Sequence, residues 1–312
     1  LDEAIEAYNK VIKLKPDYAE AYNNIGNALK DQGKLDEAIS SYNKALSIKP
    51  DYADALNNKG NILIDQGKLD EAIEAYNKVI KLKPDYAEAY NNIGNALSDQ
   101  GKLDEAISSY NKAISLKPDY AEAYINTGNL FKNQGKLKEA IEAYNLVITL
   151  KPDYAEAYNN VGNVFRDQGE LNKAIKAYNK AISLKPDYAV AHENYSFALL
   201  NSGRVKEGLD EYEWRLKTSQ FLSKHRHFSQ PLWDGNQSLN GKRILIWCEQ
   251  GIGDTINWSS CLSLITSQAK HCILECQDKL VPLLERSFPN VEVKPQNKLL
   301  DLKRDDFDFH LP

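Results

Sequence analysis

A period of 34 residues runs through the first two thirds of this 312-residue chain and constrains its fold more than any other feature. A fixed period of this length is typical of stacked, identical supersecondary units and argues against a single globular core. Glycine and proline each recur once per period, at Gly33, Gly67, Gly101, Gly135, Gly169 and Gly203 and at Pro16, Pro50, Pro84, Pro118, Pro152 and Pro186. We therefore expect a solenoid with a long concave surface that binds a partner, followed by a last third that does not repeat.

The unit 87–120 predicts two helices joined by a short turn. Its apolar residues follow the i, i+3, i+4, i+7 spacing of an amphipathic helix in two runs, 90–97 and 103–114. Between the runs, Gly101 supplies a left-handed residue that ends the first helix, and Pro118 ends the second because proline cannot continue the hydrogen-bond ladder. Each repeat is therefore predicted to be a helical hairpin.

Three residues of the same unit predict how the hairpin packs. Gly94 and Ala106 are small, which indicates that the two helices cross there, and Tyr110 is large enough to fill the space between neighbouring units. One hairpin cannot bury its apolar face alone, so the stability of the array is expected to come from stacking.

This succession of aromatic, leucine, glycine and aromatic residues, then alanine, tyrosine, alanine and proline, resembles the tetratricopeptide repeat. The resemblance implies a mainly α fold class, with a right-handed α-solenoid over residues 1–222. The last unit departs from the pattern at His192, Ser196, Gly208 and Arg215, as expected where a terminal repeat meets a different domain. The predicted units are a half repeat at 1–18, complete repeats at 19–52, 53–86, 87–120, 121–154 and 155–188, and a degenerate repeat at 189–222.

Two rows of asparagine follow the first helices, which line the inner groove in such stacks. Positions i and i+3 share a helix face, so the rows form two parallel amide ladders. A primary amide both donates and accepts hydrogen bonds, which suits the main chain of an extended peptide. The first row is Asn24, Asn58, Asn92, Asn126, Asn160 and Asn194, and the second is Asn27, Asn61, Asn95, Asn129 and Asn163.

The ladders resemble those in the repeats of protein O-GlcNAc transferases, which implies that the groove binds an extended polypeptide with little selection of side chains. The alternative is that these asparagines only face water. The carboxylate clamp of chaperone-binding repeats needs lysine or arginine beside the ladder, and that position instead holds Asn23, Asn57, Asn91, Ile125 and Asn159. We therefore expect a protein or peptide partner other than a chaperone tail.

The composition narrows the class of partner and the compartment. A formal net charge of -5 argues against nucleic acid, and no apolar run approaches the length of a membrane span. The four cysteines show no disulfide framework, so we expect a reducing, cytoplasmic location. Both ends of the chain look cut, which predicts a fragment of a longer protein, and the solenoid ends offer a route to oligomers.

The remaining third predicts a linker at 223–242 and a partial α/β domain at 243–312. Short apolar runs predict strands at 243–250, 271–277 and 291–294, with helices from the glycine turn to about Ser267 and over 279–288. Strand and helix alternate as in the first half of a doubly wound parallel sheet. The glycine turn lacks the third glycine of a dinucleotide fingerprint, because Ile256 stands there.

The segments Gln230–Gly235 and Gly241–Ile256 resemble bacterial proteins in which tetratricopeptide repeats precede a heptosyltransferase-like glycosyltransferase of the GT-B fold, similar to family 9. The resemblance implies that 243–312 is a truncated Rossmann-like acceptor lobe, that a second lobe of the whole protein binds a nucleotide-sugar donor, and that this chain needs no cofactor. It also implies that Asp254 is the general base, although a simple helix cap is equally consistent. The acceptor-side turn would comprise Glu249, Gln250, Gly251 and Gly253.

Two features leave the catalytic interpretation open. Ser260 and Cys261 stand where that family often has arginine and tyrosine, and the donor lobe is missing, so we expect no turnover by this chain alone. The alternative function is a non-catalytic scaffold whose α/β segment only caps the solenoid. We predict no metal site, since Cys272 and Cys276 share a strand face suited to a core, and we expect His225 and His227 to face solvent.

Overall fold

A computed structural model describes residues 1–218, 228–248, 255–256, 259–296 and 306–311, and it divides the chain into two compact units, Leu1–Leu222 and Ser223–Pro312. The first unit is helical throughout its regular structure, as the period predicts. Its helices are α1 Asp2–Leu14, α2 Ala19–Asp31, α3 Leu35–Ile48, α4 Ala53–Asp65, α5 Leu69–Leu82, α6 Ala87–Asp99, α7 Leu103–Leu116, α8 Ala121–Asn133, α9 Leu137–Leu150, α10 Ala155–Asp167, α11 Leu171–Leu184, α12 Ala189–Asn201 and α13 Val205–Tyr212. No helix in the described ranges is long and apolar enough to cross a membrane.

Each complete repeat is one antiparallel hairpin, and its turn has the predicted geometry. Gly101 has a φ of 76°, in the left-handed region where a side chain is disfavoured. The N–H of Lys102, the residue after it, donates back to the carbonyl of Leu97 at 2.9 Å, which satisfies a carbonyl at the end of α6. The prediction that glycine ends the first helix is confirmed.

The glycine inside the first helix is required by one aromatic ring. A Cβ atom built on Gly94 would lie 2.5 Å from Cε1 of Tyr110, closer than real Cβ contacts occur, and both Tyr110 and Ala106 are buried. Tyr110 also belongs to a cluster that includes Leu130 of the next repeat. The predicted crossing point is therefore confirmed, and Tyr110 packs both within its repeat and between repeats. The same close approach recurs at Gly26, Gly60, Gly128 and Gly162.

The sixth repeat is irregular, as its sequence predicts. Its second helix, α13, has 8 residues where the second helices of the complete repeats have 14, and a 3-10 turn follows at Glu213–Lys217. His192 is buried, with its ring stacked 3.9 Å from that of Trp214 and Nε2 3.0 Å from the carbonyl of Pro186. The sixth repeat thus has its own packing contacts in place of those that recur in the earlier repeats.

The second unit holds a small parallel sheet. Its elements are β1 Arg243–Trp247, α14 Leu262–Thr266, β2 His271–Cys276, α15 Val281–Ser287, β3 Glu292–Pro295 and β4 Phe309–Leu311. The strands lie in the order β3-β2-β1-β4, all parallel, with Leu245 of β1 opposite Ile273 of β2 and His310 of β4. The three predicted strands are present, and β1 is shorter than predicted within the described residues. The start of the predicted first helix lies outside those residues.

One face of this sheet carries the core of the second unit. Cys272 and Cys276 are 2% and 0% exposed and pack with Leu262, Leu274 and Leu284. Burial raises the pKa of the Cys272 thiol to about 11, since a thiolate would be poorly solvated there. Both cysteines therefore have the core position predicted from their spacing on the strand.

Candidate functional site

Four positions of each first helix form its exposed face. In α6 they are Glu88, Asn92, Asn95 and Asp99, spaced by four, three and four residues, which places them on one side of the helix. Asp99 is exposed and the other three are half-buried, whereas the residues between them are mostly buried against neighbouring helices. The face repeats in every complete repeat, and we call the surface it lines the groove.

Hydrogen bonds join the two asparagine rows from one repeat to the next. The amide nitrogen Nδ2 of Asn126 donates to Oδ1 of Asn91 and to Oδ1 of Asn95 in the preceding repeat, at 3.0 Å each. Asn58 and Asn92 make the same pair of bonds to the repeats before them, at 3.0 to 3.4 Å. Neighbouring repeats between residues 19 and 154 are thus joined by hydrogen bonds between the first row of one and the second row of the other.

Hydrogen bonds from buried tyrosines also hold the second row against the core. The hydroxyl of Tyr110 donates to Oδ1 of Asn95 at 2.8 Å. Burial raises the pKa of these tyrosines, to about 12 for Tyr42, so that the hydroxyls stay protonated donors at neutral pH. Equivalent bonds of 2.7 to 2.8 Å join Tyr42 to Asn27, Tyr76 to Asn61, Tyr144 to Asn129 and Tyr178 to Asn163.

In the second, third and fourth complete repeats these bonds leave the Nδ2 of the second-row asparagine and the Oδ1 of the first-row asparagine for a ligand. Oδ1 of Asn95 accepts twice, from Tyr110 and Asn126, while no group in the described part of the chain accepts from its Nδ2. Conversely, Nδ2 of Asn92 donates twice, and among described residues nothing donates to its Oδ1. An alternating donor and acceptor is what the main chain of an extended peptide can pair with.

The network is interrupted at two places. Ile125 occupies the buried position held by asparagine in the other complete repeats, and the side chain of Asn160 makes no hydrogen bond within the described ranges. In the sixth repeat Phe197 replaces the second asparagine, and its ring meets that of Tyr212 edge-on with centroids 5.7 Å apart. Among the described residues, the ladder of amide groups that still lack a hydrogen-bond partner therefore ends before the sixth repeat.

The position beside the ladder is not part of the groove. Asn23, Asn57, Asn91 and Asn159 are at most 9% exposed and lie between neighbouring first helices. A charged side chain there would be buried at a high desolvation cost. The expected absence of a lysine or arginine clamp at this position thus has a structural reason.

Sequence reasoning missed the acidic residue that completes the groove face. An aspartate stands four residues after the second asparagine, on the same side of the helix, and the constant spacing is the signal that could have identified it. These residues are Asp31, Asp65, Asp99 and Asp167, with Asn133 in the fourth complete repeat.

The predicted acceptor-side turn lies outside the described residues. This applies to Glu249, Gln250, Gly251, Gly253 and Asp254, and also to His225 and His227, so their roles stay predictions. Nearby described residues sit at the carboxyl ends of the strands. Here the Sγ of Cys248 donates to the carbonyl of Glu275 at 2.9 Å, and Nε2 of Gln296 donates to the carbonyl of Cys248 at 3.1 Å.

No group of three or more potential metal ligands occurs among the described residues. Within that part of the chain, the groove amides are the side chains best arranged to bind a ligand, and amide groups suit peptides rather than metal ions.

Comparison with known proteins places the solenoid in a family. The family model of the TPR repeat matches the chain six times, and the chain therefore belongs to the TPR repeat family, whose members act as protein-interaction modules. The matched residues are 1–33, 26–63, 60–101, 94–135, 128–165 and 162–203.

Individual relatives show the same repeat. Protein FlbA of Caulobacter vibrioides is 39% identical over 92 residues, which is 28% of this chain but only 15% of FlbA. A tetratricopeptide repeat protein from Parabacteroides merdae superimposes with a TM-score of 0.59 at 18% identity, covering 70% of this chain and 88% of that one. Pseudomonas aeruginosa pilF gives 0.56 at 19%, covering 66% and 96%. At these identities the two solved structures show the fold alone.

Proposed function

We propose that the solenoid binds an extended polypeptide along the groove, mainly through the main chain of that polypeptide. The observation that carries the proposal is the donor and acceptor left for a ligand in the second to fourth complete repeats, exemplified by Nδ2 of Asn95 and Oδ1 of Asn92. Contacts to the main chain are independent of side-chain identity, so such a groove accepts many sequences in an extended conformation.

The amides are already held in place before a ligand arrives. Tyr110 fixes Asn95 from the core, and Asn126 of the next repeat fixes the same oxygen from the side. Ordering a flexible side chain costs about 0.5–1.5 kcal/mol on binding, and that cost has been met here during folding. The groove is therefore preorganised for an extended ligand whose hydrogen-bonding groups recur along its length, as those of a peptide main chain do.

The test replaces Asn92, Asn126 and Asn160 together by alanine and measures anisotropy of a fluorescent, unstructured peptide. Since a hydrogen bond contributes about 1 kcal/mol net, three lost contacts should weaken binding by about 100-fold. The matched control replaces Asn77, Asn111 and Asn145, exposed asparagines on the second helices, and should bind as wild type. Equal affinity of wild type and the groove variant, with helicity intact in both, would overturn the proposal.

A second proposal concerns the second unit. We propose that it forms the beginning of the acceptor lobe of a GT-B glycosyltransferase in a longer protein, which takes its sugar from a nucleotide-sugar donor. The parallel strand order β3-β2-β1-β4 supports this, because it is the order in the first half of doubly wound nucleotide-binding folds. Ligands of such sheets bind beyond the carboxyl ends of the strands, and Glu249 to Asp254 directly follow β1 in sequence.

The alternative is a scaffold without catalysis, since a fold does not define an activity. Incubating the longest product of the gene with nucleotide sugars and candidate acceptors distinguishes the two. The enzyme should transfer sugar, and Asp254→Asn should lower the rate by at least about 100-fold, as expected on removing a general base. An absence of transfer by the whole protein would favour the scaffold, and transfer by this chain alone would contradict the need for a donor lobe.

A further inference from the structure

Two acidic rows flank the amide ladders of the groove. One lies four residues before the first asparagine and the other four residues after the second, so both share the exposed face of the first helices. The leading row is Glu20, Asp54, Glu88, Glu122 and Glu156, and the trailing row is Asp31, Asp65, Asp99 and Asp167.

The chain itself neutralises much of the leading row. Lysines that follow the second helices form ion pairs with it across the repeats. The pairs are Lys49–Glu20 at 3.8 Å, Lys83–Asp54 at 3.2 Å and Lys117–Glu88 at 3.3 Å. These carboxylates therefore have a structural partner and offer little net charge to a ligand.

The trailing row differs in the first three complete repeats. Asp31, Asp65 and Asp99 are exposed, and in the described part of the chain none of them has an ion-pair or hydrogen-bond partner. Each lies one helical turn from an asparagine of the second row. The Asp31 carboxylate is close enough to the ladder to add to the effect of burial that raises the pKa of Tyr42, the tyrosine bonded to Asn27.

Unpaired carboxylates of the trailing row are confined to these first three complete repeats. The fourth complete repeat has Asn133 in place of aspartate, and in the fifth Asp167 pairs with Arg166 at 3.3 Å. In the sixth, Val190 and Phe197 occupy groove positions and are 41% and 38% exposed. Beyond residue 120 the groove keeps the exposed carboxylates Glu122 and Glu156 of the leading row, and its surface is apolar in the sixth repeat.

We infer that the extended segment bound in the groove is basic, with lysine or arginine side chains placed over the first three complete repeats by Asp31, Asp65 and Asp99. The inference rests on the proposed peptide-binding function and adds a side-chain preference to it. Amide contacts to the main chain hold the segment, and the unpaired carboxylates are complementary to its cationic side chains.

The experiment compares three fluorescent peptides of about 15 residues, which extend over roughly 50 Å. They share a glycine and serine background and carry lysine, glutamine or glutamate at the same positions. Wild type should bind the lysine peptide about tenfold more tightly than the glutamine peptide at low salt, since each exposed ion pair contributes a few-fold. Added salt should remove that difference because it screens exposed charges.

Two matched variants assign the effect to the groove. The triple substitution D31N/D65N/D99N should weaken binding of the lysine peptide about tenfold and leave the glutamine peptide unchanged. The control D51N/D85N/D119N removes the same charge from exposed turns outside the groove and should affect neither peptide by more than about twofold. Equal losses in the two variants would overturn the inference, because net charge alone would then explain them.

The outcomes separate this inference from the function on which it rests. Equal binding of the lysine and glutamine peptides, both weakened by the asparagine-to-alanine substitutions, would keep the groove and refute its charge preference. Tighter binding of the glutamate peptide would also refute it. Failure of every peptide to bind would refute the peptide-binding function and the charge preference together.

Discussion

The hydroxyl of Tyr110 lies 2.8 Å from the amide oxygen of Asn95, so a side chain of the core holds a side chain of the groove. Tyr110 is also the ring against which Gly94 packs. One residue type therefore links the stability of each hairpin to the geometry of the surface that we propose binds peptide.

Replacing Tyr110 by phenylalanine tests this link. The substitution keeps the packed ring but removes a buried hydrogen bond, which should lower the free energy of unfolding by about 1 kcal/mol. Tyr90→Phe is the matched control, because among the described residues the Tyr90 hydroxyl has no partner, and its midpoint in urea should be nearly unchanged. Identical midpoints for the two variants would contradict a stabilising role for the Tyr110 to Asn95 bond.

Gly94→Ala should destabilise the solenoid by about 1–3 kcal/mol, because the added methyl group overlaps the ring of Tyr110. If that overlap is the cause, combining it with Tyr110→Leu should cost clearly less than the sum of the two single substitutions. Gly101→Ala is the comparison, since its Cβ meets no atom within 4 Å and its cost arises from a positive φ. Its effect should simply add to that of Tyr110→Leu in a double-mutant cycle, and additivity for Gly94 as well would contradict the overlap.

Alkaline pH should destabilise the solenoid through its buried tyrosines. Burial, with a smaller contribution from Asp31, raises the pKa of Tyr42 to about 12, against about 10 in an unfolded chain. The folded state then binds more protons than the unfolded state between these values. The stabilisation is therefore complete below about pH 10 and is lost as the pH rises through about 12.

Tyr42→Phe should make the fall in unfolding free energy between about pH 10 and about pH 12 less steep. Tyr22→Phe, which alters a half-buried tyrosine of the same repeat, serves as control. Urea titrations at a series of pH values measure the difference, and an equal pH dependence of wild type and Tyr42→Phe would contradict the assignment.

The reactivity of the cysteine thiols should show that the core of the second unit is closed to solvent. Burial raises the pKa of Cys276 to about 12 and that of Cys272 to about 11, whereas Cys261 is exposed. At neutral pH iodoacetamide should therefore modify Cys261 in the native protein and reach Cys272 and Cys276 only after unfolding. Peptide mass mapping with and without urea measures this, and native labelling of Cys272 at the rate of Cys261 would show that the sheet core is open.

The architecture of the solenoid was predictable because its determinants are local and repeated. The turn at Gly101, the small residue at Gly94 and the ring of Tyr110 lie within one unit of 34 residues, and each recurs often enough to exclude coincidence. The asparagine rows were predictable for the same reason.

What those asparagines bind to within the protein was not predictable from one helix. The bonds from Asn126 to Asn91 and Asn95 cross between repeats, so they depend on how neighbouring hairpins stack. The place of Asp99 on the groove face was missed because a charged residue at the end of a helix usually indicates only a solvated surface. The partner strand β4 was equally hard to place, since it joins the sheet beside β1 from a distant part of the sequence.

The hydrogen bonds from the first asparagine row to the preceding repeat are short in sequence, and this affects how such a groove can change its length during evolution. Each of these bonds joins residues 31 or 35 positions apart, on either side of a repeat boundary, and none reaches beyond the adjacent repeat. Loss of residues 53–86 would leave Asn92 facing Asn23 and Asn27, the same acceptors that Asn58 uses now. Unequal recombination between these near-identical repeats can therefore shorten or extend the binding surface by whole steps, and the junction made by this deletion keeps its hydrogen bonds.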